Sequence, residues 1–412
     1  MHIGMVYGEN RAFPPDIRVE KEIAALCAAG YKVTVLAKRI PEEANLKEKF
    51  SNHNAYVVRK PITDNLKKME RRIDALSMRQ SVWQEALKEF VKSEHPDILH
   101  VHDFMMVPVT LAIAQERRIP VVADLHENMP AAMRAYRAGS PLLQRAKSAI
   151  LYNYYLMRWH ERRVLCRCAK VIVVVPEAAE RLYRYRLDRD QVVLVSNTED
   201  ETTFRFSPEE ADSSITERYR DYWVASYIGG IGPHRGLDTV LRAVPSIRPG
   251  IPNFLLLIVG ATDMDREGID VMINKLGISE NVEVVGWQPS SKVNSYVMAS
   301  DVCLVPHNDF EHTHTTVPHK LFQYMICRKP VLVSSCRPLA RIVNETKAGV
   351  IYDVNNSKDL ADKLIFMNQN PDKLKEMGNH GQSAALGKYA WKHDAARLIQ
   401  MYQMLENVLL KK

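Results

Sequence analysis

A loop in the second half of the chain carries residues that could bind a phosphate group. It runs from Gly229 to Leu237 and contains Gly230, Gly232 and Arg235. Glycines let backbone N–H groups approach an anion, and the positive end of the following helix assists. A guanidinium can also hold two phosphate oxygens at once. A glycine cluster alone is a weak signal, but Arg235 beside it favours a phosphate site.

A second segment, from Pro318 to Met325, predicts a short helix that begins near a ligand. Pro318 suits the first turn of a helix, where its missing N–H costs nothing. Leu321, Phe322 and Met325 have the spacing of a buried helical face. Helix N-termini bind phosphate readily, and Lys320 would add a cation there.

Polar residues also follow three predicted strands in the first half of the chain. They are Asp16, Arg18, His102, Asp103, His126 and Glu127. Ligands bind at the carboxyl edge of open α/β sheets, so all six are candidates. Arg18 could contact a ligand or form a salt bridge with Glu22 at i+4. His102 and Asp103 could likewise face a ligand or form a structural hydrogen-bonded pair.

Histidines raise the alternative of a metal site. His100, His102 and His126 have the right side-chain type, but their spacing matches no standard metal motif. The polar loop from Pro306 to Thr316 contains three further histidines and poses the same alternative.

Short apolar runs alternate with helical patterns along the whole chain. Most runs are rich in Val, Ile and Leu without alternation, which is typical of parallel strands buried on both faces. The predicted strands are His2–Gly8, Lys32–Ala37, Ala55–Lys60, Asp97–His102, Val121–Leu125, Lys170–Val175, Val192–Ser196, Trp223–Ile228, Asn253–Val259, Val282–Val285, Asp301–Val305, Pro330–Ser334 and Gly349–Asp353. Helices are predicted between them, for example Ile17–Ala29 and Ser81–Ser93.

This pattern predicts an α/β protein of two Rossmann-like, doubly wound domains that face each other across a ligand cleft. A chain of 412 residues normally forms two domains. We place the domains at 1–205 and 223–385, the polar link at 206–222, and a final amphipathic helix within 386–412.

Composition favours a soluble globular protein of the cytoplasm. No run approaches the roughly 18 to 20 apolar residues of a membrane span, and the N-terminus has no basic start or long apolar stretch typical of a signal peptide. The six cysteines are scattered, which favours free thiols in a reducing compartment.

Positive charge is concentrated in the first half of the chain. The net charge of +7 arises within residues 1–205, and between residues 131 and 170 the only acidic residue is Glu161. Basic residues alternate there with Tyr, Trp, Leu and Ile, which favours contact with an anionic membrane surface. The alternatives are a packed helix pair with a solvated basic face, or nucleic acid, for which no recognised module is present.

The segment from Pro318 to Ser335 resembles the donor-binding segment of retaining glycosyltransferases of family 4, which have the two-lobed GT-B fold. The resemblance extends from Pro14 to Trp391 through several motifs in the same order. It implies transfer of a sugar from a nucleotide diphosphate, without a metal or other cofactor. It also implies that the last helix crosses back to the first domain and that the first domain lies on the acceptor side.

The chain departs from the family pattern at its most characteristic positions. The family has two glutamates separated by seven residues, contacting the sugar and the ribose; Thr315 and Gln323 stand here instead. The amide oxygen of Gln323 can still accept from one ribose hydroxyl. Since a carboxylate can accept from two, we expect Gln323→Glu to keep or improve nucleotide binding. In the glycine loop, Gly230 replaces an expected Arg, and Arg235 stands where a Lys is expected.

The resemblance implies roles for the remaining candidates. His126, Arg235 and Thr315 would act at the reacting centre, and Asp16, Arg18, His102, Asp103 and Glu127 at the acceptor or phosphate loop. Donor contacts would come from Gly229, Gly230, Gly232, Arg235, Trp287, His314, Thr315, Thr316, Lys320 and Gln323. Trp287 could instead pack the edge of its domain.

The predicted partners are a nucleotide sugar and a glycan or lipid-linked acceptor of bacterial cell-surface polysaccharide synthesis, with the inner membrane face as a docking surface and no nucleic acid. Two other functions stay open. One is a nucleotide-sugar epimerase or hydrolase of the same fold, and the other is a non-catalytic glycan-binding protein, which the missing glutamates suggest.

Overall fold

A computed structural model of the chain describes residues 1–42, 44–50, 53–202, 204 and 211–411. The chain folds as two compact units, Met1–Asn197 with Lys392–Lys412 and Thr198–Trp391. Each unit is a Rossmann-like sheet flanked by helices, so the predicted α/β class is confirmed.

The sheet of the first unit has the order β3-β4-β2-β1-β5-β6-β7-β8. Its strands are β1 His2–Tyr7, β2 Lys32–Lys38, β3 Lys47–Lys49, β4 Ala55–Lys60, β5 Ile98–His102, β6 Val121–Leu125, β7 Lys170–Val173 and β8 Val192–Leu194. Its helices are α1 Ile17–Ala28, α2 Lys68–Ser77, α3 Gln84–Glu94, α4 Val107–Arg117, α5 Met129–Tyr136, α6 Leu142–Leu151, α7 Tyr154–Leu165 and α8 Pro176–Tyr183. All pairs are parallel except β3 with β4. The sequence pattern missed β3, because a charged edge strand with few buried positions lacks an apolar run.

The sheet of the second unit is wholly parallel, in the order β11-β10-β9-β12-β13-β14. Its strands are β9 Trp223–Ile228, β10 Phe254–Ala261, β11 Val282–Gly286, β12 Val302–Val305, β13 Val331–Ser334 and β14 Gly349–Tyr352. The helices that follow β8 are α9 Ser213–Arg218, α10 Leu237–Ile247, α11 Asp263–Leu276, α12 Ser290–Met298, α13 His319–Ile326, α14 Arg337–Thr346, α15 Ser357–Asn368, α16 Pro371–Leu386 and α17 Trp391–Leu409. Pro318 directly precedes α13, and Leu321, Phe322 and Met325 are fully buried, as predicted.

The boundary between the units differs from the predicted one. Part of the predicted link, 206–210, lies outside the described residues. Of the rest, α9 packs against α12, and Tyr219 donates a hydrogen bond to Glu283 on β11 at 2.9 Å. These contacts place α9 in the second unit, whose described part begins at Thr198.

The last helix, α17, packs on the first unit. The hydroxyl of Tyr402 lies 2.7 Å from Nδ1 of the buried His100. Glu406 accepts from Tyr31 at 3.4 Å and lies 3.5 Å from the N-terminal amine of Met1. Among the described residues, none of the helices has the length and apolar composition needed to cross a bilayer.

Each sheet reverses its strand order at one point, where ligands bind in open α/β folds. In the first unit this point lies between β1 and β5, and in the second between β9 and β12. The polar residues described next lie at the carboxyl ends of these strands and their neighbours.

Candidate functional site

A buried charge network lies at the carboxyl edge of the first sheet, and Asp124 at the end of β6 is its centre. Arg18 on α1 donates two hydrogen bonds to this carboxylate, at 3.0 and 2.8 Å. The Arg18 guanidinium also lies 3.1 Å from Glu22 and donates to Val195 and Asn197, at 3.1 and 3.0 Å. Only 3% of the Arg18 side chain is exposed. Arg18 forms the salt bridge with Glu22 that was the alternative to a ligand contact.

His126 reaches the edge of this network. Its Nε2 lies 3.0 Å from Asp124, and its Nδ1 lies 3.7 Å from Asp103. Burial alone would lower the pKa of His126, but the carboxylates of Asp103 and Asp124 raise it to about 10. The side chain is 19% exposed, so it presents an imidazolium at the surface of the network.

His102 and Asp103, at the end of β5, also lie close to His126. Burial lowers the pKa of His102 to about 3, so this ring is neutral, and its Nδ1 lies 3.3 Å from Nε2 of His126. Asp103 has a φ of 64°, a conformation that non-glycine residues seldom adopt. Burial raises the pKa of Asp103 to about 6. Both residues line a cavity of about 210 Å³ beside Gly8 and Met129.

The two remaining carboxylates predicted for this edge are engaged locally. Asp16 caps α1, accepting from the backbone N–H groups of Arg18 and Val19 at 3.1 Å, and pairs with Arg11 at 2.6 Å. Glu127 accepts from the hydroxyl of Tyr136. Neither contact excludes a ligand, but both fix where the carboxylate lies.

The same network contains a set of residues with metal-ligand chemistry. Glu22, His100, His102 and Asp124 place one ligand-type atom each within 4.8 Å of one another. The Arg18 guanidinium already balances the charge of Asp124, while burial and Asp124 raise the pKa of Glu22 well above its ordinary value. The donor set therefore suits the arginine that fills it better than a metal ion.

We expect the network to make stability depend on pH through His126. Because its pKa is raised from 6.5 to about 10, the folded state binds the proton more tightly than the unfolded chain. The contribution is fully present below pH 6.5 and is lost as the pH rises through 10. The difference in urea midpoint between the parent and His126→Gln should therefore shrink from pH 6.5 to pH 10. A constant difference would contradict a protonated His126.

In the second unit, the loop after β9 is held in place by tight backbone packing. Gly236 has a φ of 74°, and a Cβ there would lie 1.7 Å from the carbonyl oxygen of Pro306. Asn308 donates to the carbonyl of Pro233 and to Asp238, both at 2.9 Å. Gly230 has open space around its Cα. The loop can thus bring backbone N–H groups close to an anion at the start of α10.

This loop has two cations, Arg235 within it and Lys320 beside Gly229. Arg235 donates to Nε2 of His307 at 3.2 Å, and because a guanidinium only donates, the ring proton of His307 is on Nδ1. The buried ammonium of Lys320 lies 3.7 Å above the ring of Tyr227 and has no hydrogen-bond acceptor among the described residues. Burial and Arg235 lower the pKa of Lys320 well below its usual value. An anion bound here would supply the missing acceptor.

The loop after β12 uses several predicted ligand side chains for its own structure. His314 accepts from the N–H of Arg337 at 3.1 Å through Nδ1 and contacts Asp309 at 2.8 Å through Nε2. Thr315 is buried and its hydroxyl lies 3.0 Å from the carbonyls of Glu311 and His312. Its only proton is thus used internally, which leaves an acceptor lone pair for a ligand.

The remaining predicted donor residues differ in exposure. Trp287 follows β11 and is 74% exposed, so it does not pack the edge of its unit. Thr316 and Gln323 are half-buried, and Gly232 has an extended backbone with φ of 177°.

Glu199 contacts two residues of α13, and the sequence did not reveal these contacts. The side-chain amide of Gln323 donates to Oε1 of Glu199 at 3.1 Å, and Nδ1 of His319 lies 3.1 Å from the same oxygen. Gln323 and Glu199 are 124 residues apart, so no local motif could have linked them.

Two protein-family models match this chain. The family described as Glycosyltransferase Family 4 matches residues 18–201, and the one described as Glycosyl transferases group 1 matches residues 208–384. Fold and sequence thus agree, and the chain belongs to the GT-B glycosyltransferases of family 4 type.

Curated relatives are distant. The D-inositol 3-phosphate glycosyltransferase of Nocardia farcinica is 23% identical over 313 residues, which cover 74% of this chain and 66% of the relative. Relatives of the same name from Segniliparus rotundus and Rhodococcus erythropolis are covered over 39% and 55% of their lengths. The alpha-monoglucosyldiacylglycerol synthase of Acholeplasma laidlawii is 20% identical, with 69% of this chain and 70% of the relative covered.

Solved structures share the fold along nearly the whole chain. Sucrose-phosphate synthase from Thermosynechococcus elongatus has a TM-score of 0.78 at 17% identity, with 99% of each chain covered. HepE of Anabaena, in a complex with UDP-glucose, has a TM-score of 0.70 at 14% identity, with 99% of this chain and 100% of that one covered.

Proposed function

We propose that this protein is a retaining glycosyltransferase that moves a hexosyl group from a nucleotide-diphosphate sugar to a glycan or lipid-linked acceptor. The observation that carries the proposal is the buried Lys320 ammonium, which lacks a hydrogen-bond acceptor in the described part of the chain and adjoins Arg235 and the glycine loop. Burying such a charge is costly unless a ligand compensates it. A diphosphate has the matching charge and suits the start of α10.

The residues of the second unit would stabilise charge on the leaving group. As the bond between the sugar carbon and the diphosphate breaks, negative charge grows on the phosphate oxygens. The acceptor hydroxyl attacks from the same face and gives its proton to the leaving phosphate oxygen. Arg235, Lys320 and the positive end of α10 offer preorganised stabilisation of that charge. We propose that these groups replace a metal ion. The chain has Thr315 and Gln323 in place of the two family glutamates. Their absence leaves these proposed phosphate contacts in place.

Turnover of a nucleotide-sugar panel tests the proposal. UDP-, GDP-, ADP- and dTDP-sugars are incubated with candidate acceptors, and the anomeric configuration of the product is read by NMR. We expect transfer with retention, unchanged by EDTA. Product without an acceptor would favour an epimerase or hydrolase, and binding without turnover a non-catalytic protein. Activity lost with EDTA and restored by manganese would overturn the metal-free mechanism.

The acceptor is proposed to be lipid-linked, as in bacterial cell-surface polysaccharide synthesis. The names of two relatives point to inositol phosphate and to a glycosylated diacylglycerol as their products or substrates. A surface of α6 and α7 in this chain supports a membrane-bound substrate. Its apolar residues are strongly exposed, at 83% for Leu142, 70% for Leu143 and Ile150, 78% for Tyr155 and 52% for Trp159.

The charges around this surface favour an anionic membrane. Arg145, Lys147 and Arg162 are exposed beside the apolar residues. Glu161, the only acidic residue of this region, is buried and paired with Arg181, so it does not offset the exposed charge. Arg158 is different, because it donates to the hydroxyls of Tyr185 and Tyr154 at 3.2 and 2.9 Å and thus holds the helix in place.

We expect the protein to sediment with anionic vesicles at low salt and to be released at high salt. Each exposed cation contributes up to roughly 1 kcal/mol at an anionic surface, and the Debye length falls from about 10 Å at 0.1 M to about 3 Å at 1 M salt. Exchanging Arg145, Lys147 and Arg162 together for Gln should abolish binding. The matched control exchanges Lys358, Lys373 and Lys375 of the second unit. Equal binding to neutral vesicles, or none, would favour a packed basic helix pair.

A further inference from the structure

We propose that Glu199 is a positioning residue of the donor site, which fixes the amide of Gln323 so that its oxygen accepts from the nucleotide ribose. The inference rests on the proposed function and adds a carboxylate that no sequence motif assigns. It also explains why an amide, and not the family's glutamate, stands at position 323.

The contacts determine which end of the Gln323 amide is available. An ionised carboxylate only accepts hydrogen bonds, so the amide nitrogen must face Oε1 of Glu199, at 3.1 Å. The amide oxygen is then the end left for another donor. Since Gln323 is half-buried, a ligand hydroxyl can reach it. Without Glu199, the amide could turn and present either end.

Glu199 is itself firmly placed. Its side chain is 2% exposed, and its carboxylate lies 3.1 Å from Nδ1 of His319, four residues before Gln323 on α13. Its backbone pairs with Ala390, and its carbonyl accepts from the N–H of Trp391 at 3.3 Å. A carboxylate beside the first turns of α13 is also favoured by the helix dipole. Backbone and side-chain contacts thus hold the carboxylate against α13.

This arrangement reverses the expectation for a glutamate at position 323. Gln323→Glu would bring two carboxylates to about 3 Å, where they cannot both ionise without a large cost. One would bind a proton or turn away, and the acceptor for the ribose would be misplaced. The chain has the carboxylate on Glu199 and the amide on α13, and the structure predicts that exchanging the two residues preserves the pair.

A double-mutant cycle tests the pair. Nucleoside-diphosphate affinity is measured by calorimetry for the parent, Gln323→Glu, Glu199→Gln and the double exchange, with Gln369→Glu, at an exposed position of the same unit, as the charge control. We expect Gln323→Glu to weaken binding by up to about tenfold, since the hydrogen bond from the ribose hydroxyl to the amide oxygen is lost. The double exchange should return to within about threefold of the parent, because one carboxylate and one amide again face each other.

A ligand without ribose hydroxyls separates ribose contact from a merely structural role. With a 2′,3′-dideoxynucleoside diphosphate, the parent and Glu199→Gln should bind alike, whereas the full ribose should distinguish them. Should Gln323→Glu fail to fold, this comparison with Glu199→Gln still decides. Additive effects in the cycle, or equal differences with both nucleotides, would overturn the inference. A parent protein that binds no nucleoside diphosphate would instead overturn the proposed function.

Discussion

Replacing Arg18 with methionine is expected to lower the free energy of unfolding of the first unit by about 3–5 kcal/mol, the usual cost of breaking a buried ion pair. Arg18 is 3% exposed and balances the fully buried Asp124. Methionine conserves much of the volume but leaves that carboxylate with histidine neighbours alone. The measurement is urea unfolding followed by a signal specific to the first unit.

Arg11→Met is the matched control for this prediction. Arg11 also pairs with a carboxylate, Asp16 at 2.6 Å, but its side chain is 58% exposed. Exposed pairs contribute roughly 0–1 kcal/mol, so the control should unfold close to the parent. If Arg18→Met and Arg11→Met have equal small effects, the network around Asp124 does not stabilise the unit through charge balance.

Removing either cation of the second unit is expected to weaken nucleoside-diphosphate binding about tenfold or more, since a charge-assisted contact contributes about 1.5–3 kcal/mol. For Lys320→Met we also expect a higher melting temperature. The ammonium is buried without a hydrogen-bond acceptor among the described residues, so its removal relieves a desolvation cost. For Arg235→Ala we expect the loss of affinity with the fold intact. Calorimetry and thermal unfolding measure the two effects.

Lys329 provides a matched lysine for comparison, since it is half-buried as a residue, like Lys320. Its ammonium donates to the carbonyl of Met298 at 2.8 Å, so the protein already compensates its burial. Lys329→Met should therefore lower the melting temperature and leave nucleotide affinity unchanged. Unchanged affinity in both Lys320→Met and Arg235→Ala would show that the diphosphate is bound elsewhere.

The sequence by itself determined the fold class, and it predicted that the candidate site residues lie at the carboxyl edge of each sheet. Strand β9 was predictable because an apolar run is a local property of the sequence. The buried face of helix α13 was predictable because a 3.6-residue spacing is local too. The glycine loop and the polar residues after β5 and β6 were found for the same reason, since a strand end and its neighbouring side chains are adjacent in sequence.

Only the tertiary structure decided which side chains compensate one another. Arg18 was predicted to face either a ligand or Glu22, and its partners Asp124 and Asn197 lie 106 and 179 residues away. Glu199 approaches Gln323 from 124 residues away, and its proposed role reverses the effect expected for a glutamate at position 323. Charge, burial and protonation depend on neighbours in space. Those neighbours come from different strands and helices, so no window of sequence contains them.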